Sequence, residues 1–427
     1  MNRRVIRLTL ALAAGFAVLL VQLTNIGFVR AGELRRHELN TRAAAAAIGN
    51  ARGGIASVDG ETLAPSISPG DRNGAPVLRT YPHGPLYAHI VGYLGPEAGA
   101  SGVERSYDSE LSGTTTGIAV RELTDLFADS GRVGDIVLTL NHGVQLTARA
   151  ALGDRDGAIV VIDPATGAVV AMWSRPSLDP GALVSLGPDA DGADAGLPSA
   201  RAYQRHYALG VSESLSRAGV DLLEGARQEP GSTSIDLPSE PDGADPNDPG
   251  MGDGDVERVR LTPLQLALAA ASLANDGIRM RPHVVHRVDI RSNEGEASAP
   301  DASVESTPRE AGRLFSPADA AALLARMIAE ARQSSISLES ADGVELAAAS
   351  AVGWLGEATG DRARMGGWAV LLAPADAPTV AVAVLIEPDA TLDIGDPRGG
   401  GTLATMIAAT AAEAALALRA VPQPDRP

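Results

Sequence analysis

Serine hydroxyls are the nucleophiles with the most suggestive surroundings in this chain, which contains no cysteine and no lysine: all 35 basic residues are arginine. The absence of cysteine removes disulfides, thiolate nucleophiles and Cys-ligated metals together. The absence of lysine removes every mechanism that needs its amine. The serines with the most suggestive surroundings are Ser212 and Ser214 in "YALGVSES" and Ser232 in "EPGSTSI". His206 with Ser212 or Ser214 and a loop aspartate supplies the residue types of a Ser-His-Asp triad. Those types are common and their spacing carries no geometry, so His206 reads as an exposed loop histidine. The stretches "PDADGADAGLP" and "DGADPNDPGMGDGD" gather carboxylates as calcium sites do. Neither has the 12-residue ligand spacing with a terminal Glu, and both read as solvated acidic linkers. No metal and no cofactor is expected.

The elements that would position these residues are bounded by the totals. A chain of 427 residues is long enough for two or three domains with a sizeable core. Hydrophobic residues make up 45% and aromatics only 3%, so the core must be built from Ala, Val, Leu and Ile. A net charge of −18 argues against a nucleic-acid binder, which needs clustered basic residues to neutralise phosphate.

The opening "MNRRVIRLTLALAAGFAVLLVQLTNIGFVRAGELRR" leads with Arg3, Arg4 and Arg7 and then runs almost uncharged from Leu8 to Val29. About 20 apolar residues at a rise of about 1.5 Å cross a bilayer core of about 30 Å. Gln22, Thr24 and Asn25 weaken the second half. Val29-Arg30-Ala31 loosely resembles a cleavage site, so a cleaved signal peptide competes. The reading is an uncleaved single-pass anchor, with the bulk of the chain extracytoplasmic at the cell membrane. Arg30, Arg35 and Arg36 blur the charge asymmetry.

Further on, Ile136 to Leu140 reads as a strand, and Val144 to Leu152 has helical spacing. "GAIVVID" and "AVVAMWS", joined by "PATG", form a hairpin signal. Gly181 to Gly196 and Glu229 to Gly254 are rich in Asp, Pro and Gly and read as loop. "LTPLQLALAAASLANDG" is a helix that Thr262 can cap, with Pro263 in its first turn and Gly277 at its end. Residues 291 to 312 are polar and read as unstructured. "SPADAAALLARMIAEAR" is a helix capped by Ser316. The chain closes with strands "WAVLLAP" and "TVAVAVLIEP" and an Ala-rich helix. The expected fold class is α/β (α+β), a sheet flanked by helices.

The chain resembles the class B penicillin-binding proteins nearly end to end. "RGGIASVDGETLAPS" resembles their RGxIxDRxGxxLAxS segment. "RTYPHGPLYAHIVGYLG" and "SGVERSYDSELSGTTTG" resemble their pedestal motifs, including a Gly-x-Glu at Gly102 to Glu104. "LTLNHGVQLTARAAL", "GAIVVIDPATGAVVAMWSRPSLDP", "SIDLPSEPDGADP" and "GDGDVERVRLTPLQLALAAASLANDGIRMRPHVV" resemble successive landmarks of the transpeptidase domain. The resemblance implies an anchor over residues 1–30, a pedestal over 31–135, a transpeptidase-like domain over 136–418 with a shortened helical region, and a tail over 419–427.

The family's chemistry uses Ser-x-x-Lys, Ser-x-Asn and Lys-Thr-Gly. The serine attacks a D-alanyl-D-alanine carbonyl, the lysine helps remove its proton, and backbone N–H groups hold the oxyanion. Here "ARAYQRHYALGVSES" resembles the lead into the first motif through Arg201, Ala202, Gln204, Tyr207 and Gly210. On that register Val211 stands at the nucleophile and Ser214 at the lysine. A second register places Ser212 and Ser214 at the serine and asparagine of Ser-x-Asn, with the first motif deleted. The following "SLSRAGVDLLEGARQEPGSTSIDLP" supports the deletion. Pro230 to Thr233 copies the usual lead to the nucleophile, but Ile235 sits where lysine belongs, so Ser232 reads as a loop serine. In "SAVGWLGEA", Trp354 and Leu355 occupy the Lys-Thr positions, and Gly356 and Ala358 persist.

The resulting expectation is a degenerate penicillin-binding protein that scaffolds or regulates peptidoglycan synthesis or cell division, with no catalytic residue. Its expected partners are cell-wall synthesis or division membrane proteins, and peptidoglycan stem peptides if the cleft still binds. An active D,D-transpeptidase with a diverged site, using Ser212 or another serine, and a non-catalytic muropeptide binder are the alternatives.

Overall fold

A computed structural model describes residues 52–67, 78–95, 99–114, 132–185, 202, 207–210, 218–219, 221–223, 235, 237, 258–292, 300–333, 347–354, 365–387 and 399–420, with 15, 16, 19 and 22 near the amino terminus. The first part is made of short pieces: β1 (Ile55–Ala56), β2 (Thr62–Ala64), β3 (Ser66–Ile67), β4 (Leu78–Arg79), α1 (Ala88–Val91), β5 (Leu94–Gly95), β6 (Gly99–Ala100), α2 (Gly102–Ser106) and α3 (Asp108–Leu111). None of these strands exceeds three residues, so local periodicity cannot hold them. They are ordered by what they pack against, including the longer β7 (Arg132–Leu138).

The second part contains α4 (His142–Leu152), β8 (Gly157–Ile162), β9 (Val169–Arg175), α5 (Pro180–Ser185), β10 (Tyr207–Gly210), β11 (Arg258–Leu261), α6 (Pro263–Leu273), β12 (Ile278–Met280), β13 (Val285–Ser292), β14 (Ala302–Glu305), β15 (Glu310–Arg313), α7 (Pro317–Gln333), β16 (Ala347–Trp354), β17 (Met365–Ala373), β18 (Val380–Ile386) and α8 (Gly399–Ala420). Its main sheet has the order β16-β17-β18-β8-β9. Every pair in it is antiparallel, which makes the architecture α+β. β8 and β18 are buried along their whole length. That needs cover on both faces. α8 packs on the sheet together with α4, and α6 packs on it together with α7. The uninterrupted apolar runs of β8 and β18 follow, since neither face meets water. Trp368 is fully buried on β17 opposite Ala351, in a core built mainly of aliphatic residues.

A second sheet, β14-β13-β7-β1-β2, joins chain segments that are far apart in sequence. β7 pairs in parallel with β1 and antiparallel with β13, so Ile136 lies between Ile55 and Val288. Residues 55–64, 132–138, 285–292 and 302–305 therefore share one strand ladder.

Local signals held where the physics is local. Asn141 caps α4, its side chain accepting from Val144 N at 3.1 Å. Thr262 and Gln265 form a reciprocal capping box at the start of α6. Ser316 accepts from Asp319 N at 3.1 Å ahead of α7. Three expectations need correction. α6 ends at Leu273 rather than at Gly277; Asp276 and Gly277, at φ 51° and 79°, instead make the turn into β12. Residues 291–312 are not structureless: they hold the end of β13, β14 and β15. The side chains of β14 and β15 are largely exposed, so only backbone pairing with β13 and β12 marks them as strands. Gly181 to Ser185, at the start of a stretch whose composition suggested loop, are helical as part of α5. Among the described residues no helix is long and apolar enough to cross a membrane; the expected anchor falls outside them except for Gly15, Phe16, Leu19 and Gln22, which are helical.

Candidate functional site

β16 forms one edge of the main sheet, and its last residue, Trp354, pairs with Met365 of β17. Trp354, expected from the sequence at the position of the family motif's lysine, thus lies at the end of an edge strand. β10 lies beside β16 and pairs antiparallel with β11, Gly210 opposite Arg258. The chain leaves β10 directly into Val211. The fold therefore carries the segment leading into "VSES" and the strand ending at Trp354 to the same sheet edge. Val211, Ser212, Ser214, Leu355 and Gly356 themselves lie outside the described residues, as do His206 and Ser232. Ile235, which stands where lysine belongs on the Ser232 register, is 6% exposed and packs into the core. Ala202 is buried, and its N–H donates to Ser174 Oγ of β9 at 2.9 Å. Ala202 is thereby tied to β9, the edge of the sheet opposite β16.

The strongest electrostatic feature lies in the first part of the chain. Glu104, at the end of the Gly-x-Glu segment, is fully buried between two buried arginines. Arg52 donates from Nε to Glu104 Oε2 at 3.0 Å, and Arg79 donates from Nε to Glu104 Oε1 at 2.5 Å. Arg52 reaches further, to Asp108 Oδ1 at 2.7 Å and the Glu104 carbonyl at 2.8 Å. Tyr81 adds a longer contact at 3.3 Å and accepts from Leu94 N at 2.7 Å. Burial by itself pushes the Glu104 carboxyl up, but the charges and hydrogen bonds of Arg79 and Arg52 outweigh it and hold it below the ordinary carboxylate range. Burial likewise opposes the Arg52 charge, and Glu104 with Asp108 more than restores it. Burial, then Glu104, pushes the Tyr81 phenol up.

Two glycines make this approach possible. A Cβ on Gly53 would sit 2.0 Å from the Gly134 carbonyl oxygen, and one on Gly102, at φ 56°, would sit 2.4 Å from that of Ile90. The motifs around Arg52 and Glu104 were legible as family segments. Their convergence with Arg79 was not, because nothing local in the sequence marks contacts spanning 25 and 52 positions.

A second group of ionisable side chains joins the two parts of the chain and was not singled out from sequence. Tyr87 Oη lies 2.9 Å from His142 Nδ1, His83 Nε2 lies 2.8 Å from Glu61 Oε1, and His142 N donates to Asp59. Burial first, then Asp59 and Glu61, pushes the Tyr87 phenol up.

Residues 52–137 match the penicillin binding protein A dimerisation domain, and residues 226–412 match the penicillin binding protein transpeptidase domain. The second match begins after the segment of residues 201–214. It also omits the β8–β9 hairpin, although that hairpin pairs in register with β18 in the sheet it completes. A relative in Mycolicibacterium smegmatis, "Peptidoglycan D,D-transpeptidase PbpA", is 28% identical over 97% of this chain and 99% of its own length. That alignment spans 507 positions, at least 80 more than the 427 residues here, so stretches of the relative have no counterpart in this chain. The crystal structure of PBPA from Mycobacterium tuberculosis superposes with a TM-score of 0.64 at 23% identity, covering 87% of this chain and 99% of that one. Its penicillin G acyl-enzyme complex gives a TM-score of 0.62 at 26% identity, covering 86% of this chain and all of that one. Two domain matches in family order and similarity along nearly the whole of a relative make this chain a member of the class B penicillin-binding proteins.

Proposed function

We propose that this protein has lost transpeptidase chemistry and acts as a scaffold or regulator of peptidoglycan synthesis. The observation that carries this reading is the lysine-free sequence. A serine hydroxyl is a weak nucleophile near neutral pH and needs a base beside it. Arginine cannot take that role, because its guanidinium does not give up a proton in proteins. Trp354 and Leu355, at the Lys-Thr positions, offer neither a charge nor a hydroxyl to a substrate carboxylate. The start of the transpeptidase match at residue 226 and the 80 or more unmatched positions of the smegmatis relative support the reading that the nucleophile segment is deleted.

The retained parts fit a role in assembly. The buried Arg52–Glu104–Arg79 cluster and the central sheet keep the pedestal and body folded without any catalytic demand. The proposed location is the outer face of the cell membrane, held by residues 8–29. Phe16 and Leu19 support this, being helical and more than 60% exposed, which leaves apolar side chains for a bilayer to cover. The proposed partners are membrane proteins of cell-wall synthesis or division. A surviving transpeptidase activity is the alternative, favoured by the relative captured as a penicillin G acyl-enzyme. A muropeptide binder would show saturable binding of stem peptide without turnover.

The deciding experiment exposes the full chain to fluorescent penicillin and reads covalent labelling by intact mass. No adduct is expected, alongside a labelled active homologue and a folded circular dichroism spectrum. A stoichiometric adduct would overturn the proposal, and the labelled peptide would name the serine.

A further inference from the structure

A row of β-branched side chains crosses the second sheet and runs out of cover at its edge. Ile55 of β1 lies beside Ile136 of β7, Ile136 beside Val288 of β13, and Val288 beside Val304 of β14. Ile55 and Ile136 are fully buried and Val288 is half-buried, but Val304 is 59% exposed. Among the described residues only Phe16 and Leu19 expose more of a large apolar side chain. β14 ends the sheet, so no described strand continues the row beyond Val304.

The backbone of β14 is open at the same place. Ser306 N donates to the His286 carbonyl at 2.8 Å. Paired and unpaired positions alternate along an antiparallel ladder, so the N–H and C=O groups of Ser303 and Glu305 point away from β13. An open edge strand is a template for another chain, and proteins blunt it by shortness or by charge. β14 is short, at four residues, yet the side chain it sets at the end of the row is apolar.

The charges around the edge select the occupant. On the other face of β14, Ser303 Oγ donates to Asp289 Oδ1 at 2.5 Å, and Asp289 holds Arg287 Nε at 2.9 Å. Glu305 stands opposite Arg287, but Arg287 is committed to Asp289, and Glu305 makes no ion pair with a described residue. Asp301 adds a second carboxylate just before the strand. A second copy of this chain would bring another Glu305 to the same edge and a further net charge of −18. Like charges gathered across strands destabilise such a pairing. A basic segment instead pairs with Glu305 and is drawn in by the charge of the whole chain.

We propose that β14 is a docking edge for an extended segment of a partner protein in which β-branched apolar residues alternate with arginine or lysine. The apolar residues continue the row beyond Val304, the basic ones face Glu305, and the backbone pairs with Ser303 and Glu305. This edge goes beyond the reading of lost transpeptidase chemistry and does not depend on it, so penicillin labelling leaves it untouched.

The test mixes the full chain with a short synthetic peptide of alternating Val and Arg and reads amide hydrogen exchange at Ser303 and Glu305. At about ten times its Kd the peptide should slow both amides about tenfold and leave those of β18 unchanged. A peptide of the same composition with Val and Arg in separate blocks should not protect them. Val304→Ser and Glu305→Gln should each weaken binding by up to about fivefold, the size of one cross-strand pair, with β18 protected as in wild type. The proposal is overturned by no binding, by binding that leaves Ser303 and Glu305 unprotected, by equal protection from the blocked peptide, or by an affinity that neither substitution changes. Protection that grows with protein concentration in the absence of peptide would also overturn it and give the edge to a second copy.

Discussion

Arg79 Nε stands 2.5 Å from Glu104 Oε1, with both side chains almost sealed from solvent at 5% and 0% exposure. Arg52 holds the other carboxylate oxygen. Removing one partner of such a group leaves an uncompensated buried charge, which costs about 3–5 kcal/mol. Glu104→Gln is expected to destabilise the protein by that order, measured as the urea midpoint of unfolding. Because Glu104 titrates below its unfolded value of 4.5, its stabilisation is fully present above that pH and is lost as pH falls through the folded value. Wild type should therefore lose stability on acidification more steeply than Glu104→Gln.

Asp135 carries the opposite sign. Burial pushes its carboxyl up, Gly54 N and Arg291 hold it down in part, and Asp289 adds to the rise. The folded protein then binds this proton more tightly than the unfolded chain, so stability falls as pH rises from 3.8 through the folded value. Asp135→Asn should remove that fall. The stability advantage of wild type over the variant should shrink across the window, as followed by parallel urea titrations.

Thr262 Oγ1 accepts from Gln265 N at 3.1 Å, and Thr262 N donates to Gln265 Oε1 at 2.8 Å. Thr262→Ala should cost about 1 kcal/mol and Thr262→Ser much less. A change several-fold larger would mean that β11, which ends one residue earlier, depends on the same cap.

Restoring the third motif tests the deletion reading. Trp354→Lys with Leu355→Thr recreates Lys-Thr-Gly at the end of β16 but supplies neither a first-motif lysine nor the segment proposed to be deleted. The double variant should remain unlabelled by penicillin. Labelling would show that a usable nucleophile survives and that only the third motif had decayed.

What could be read from the residues alone tracks how local the cause is. The hairpin of β8 and β9 and the strand β18 were legible because burial on both faces leaves an apolar run with no polar alternation. The caps at Asn141, Thr262 and Ser316 act within three residues, though only the last two were anticipated. β14 and β15 were missed because exposed edge strands have no side-chain signature and exist through pairing with β13 and β12. The lysine-free composition, too, is a property of the sequence, and the case against catalysis rests there. Tertiary structure alone decided that Trp354 ends an edge strand beside β10, that Arg52, Arg79 and Glu104 share one buried site, and that His83 meets His142. Each of these depends on chain segments tens of residues apart being brought together by a common core, and no periodicity or local propensity encodes which distant charges will meet there.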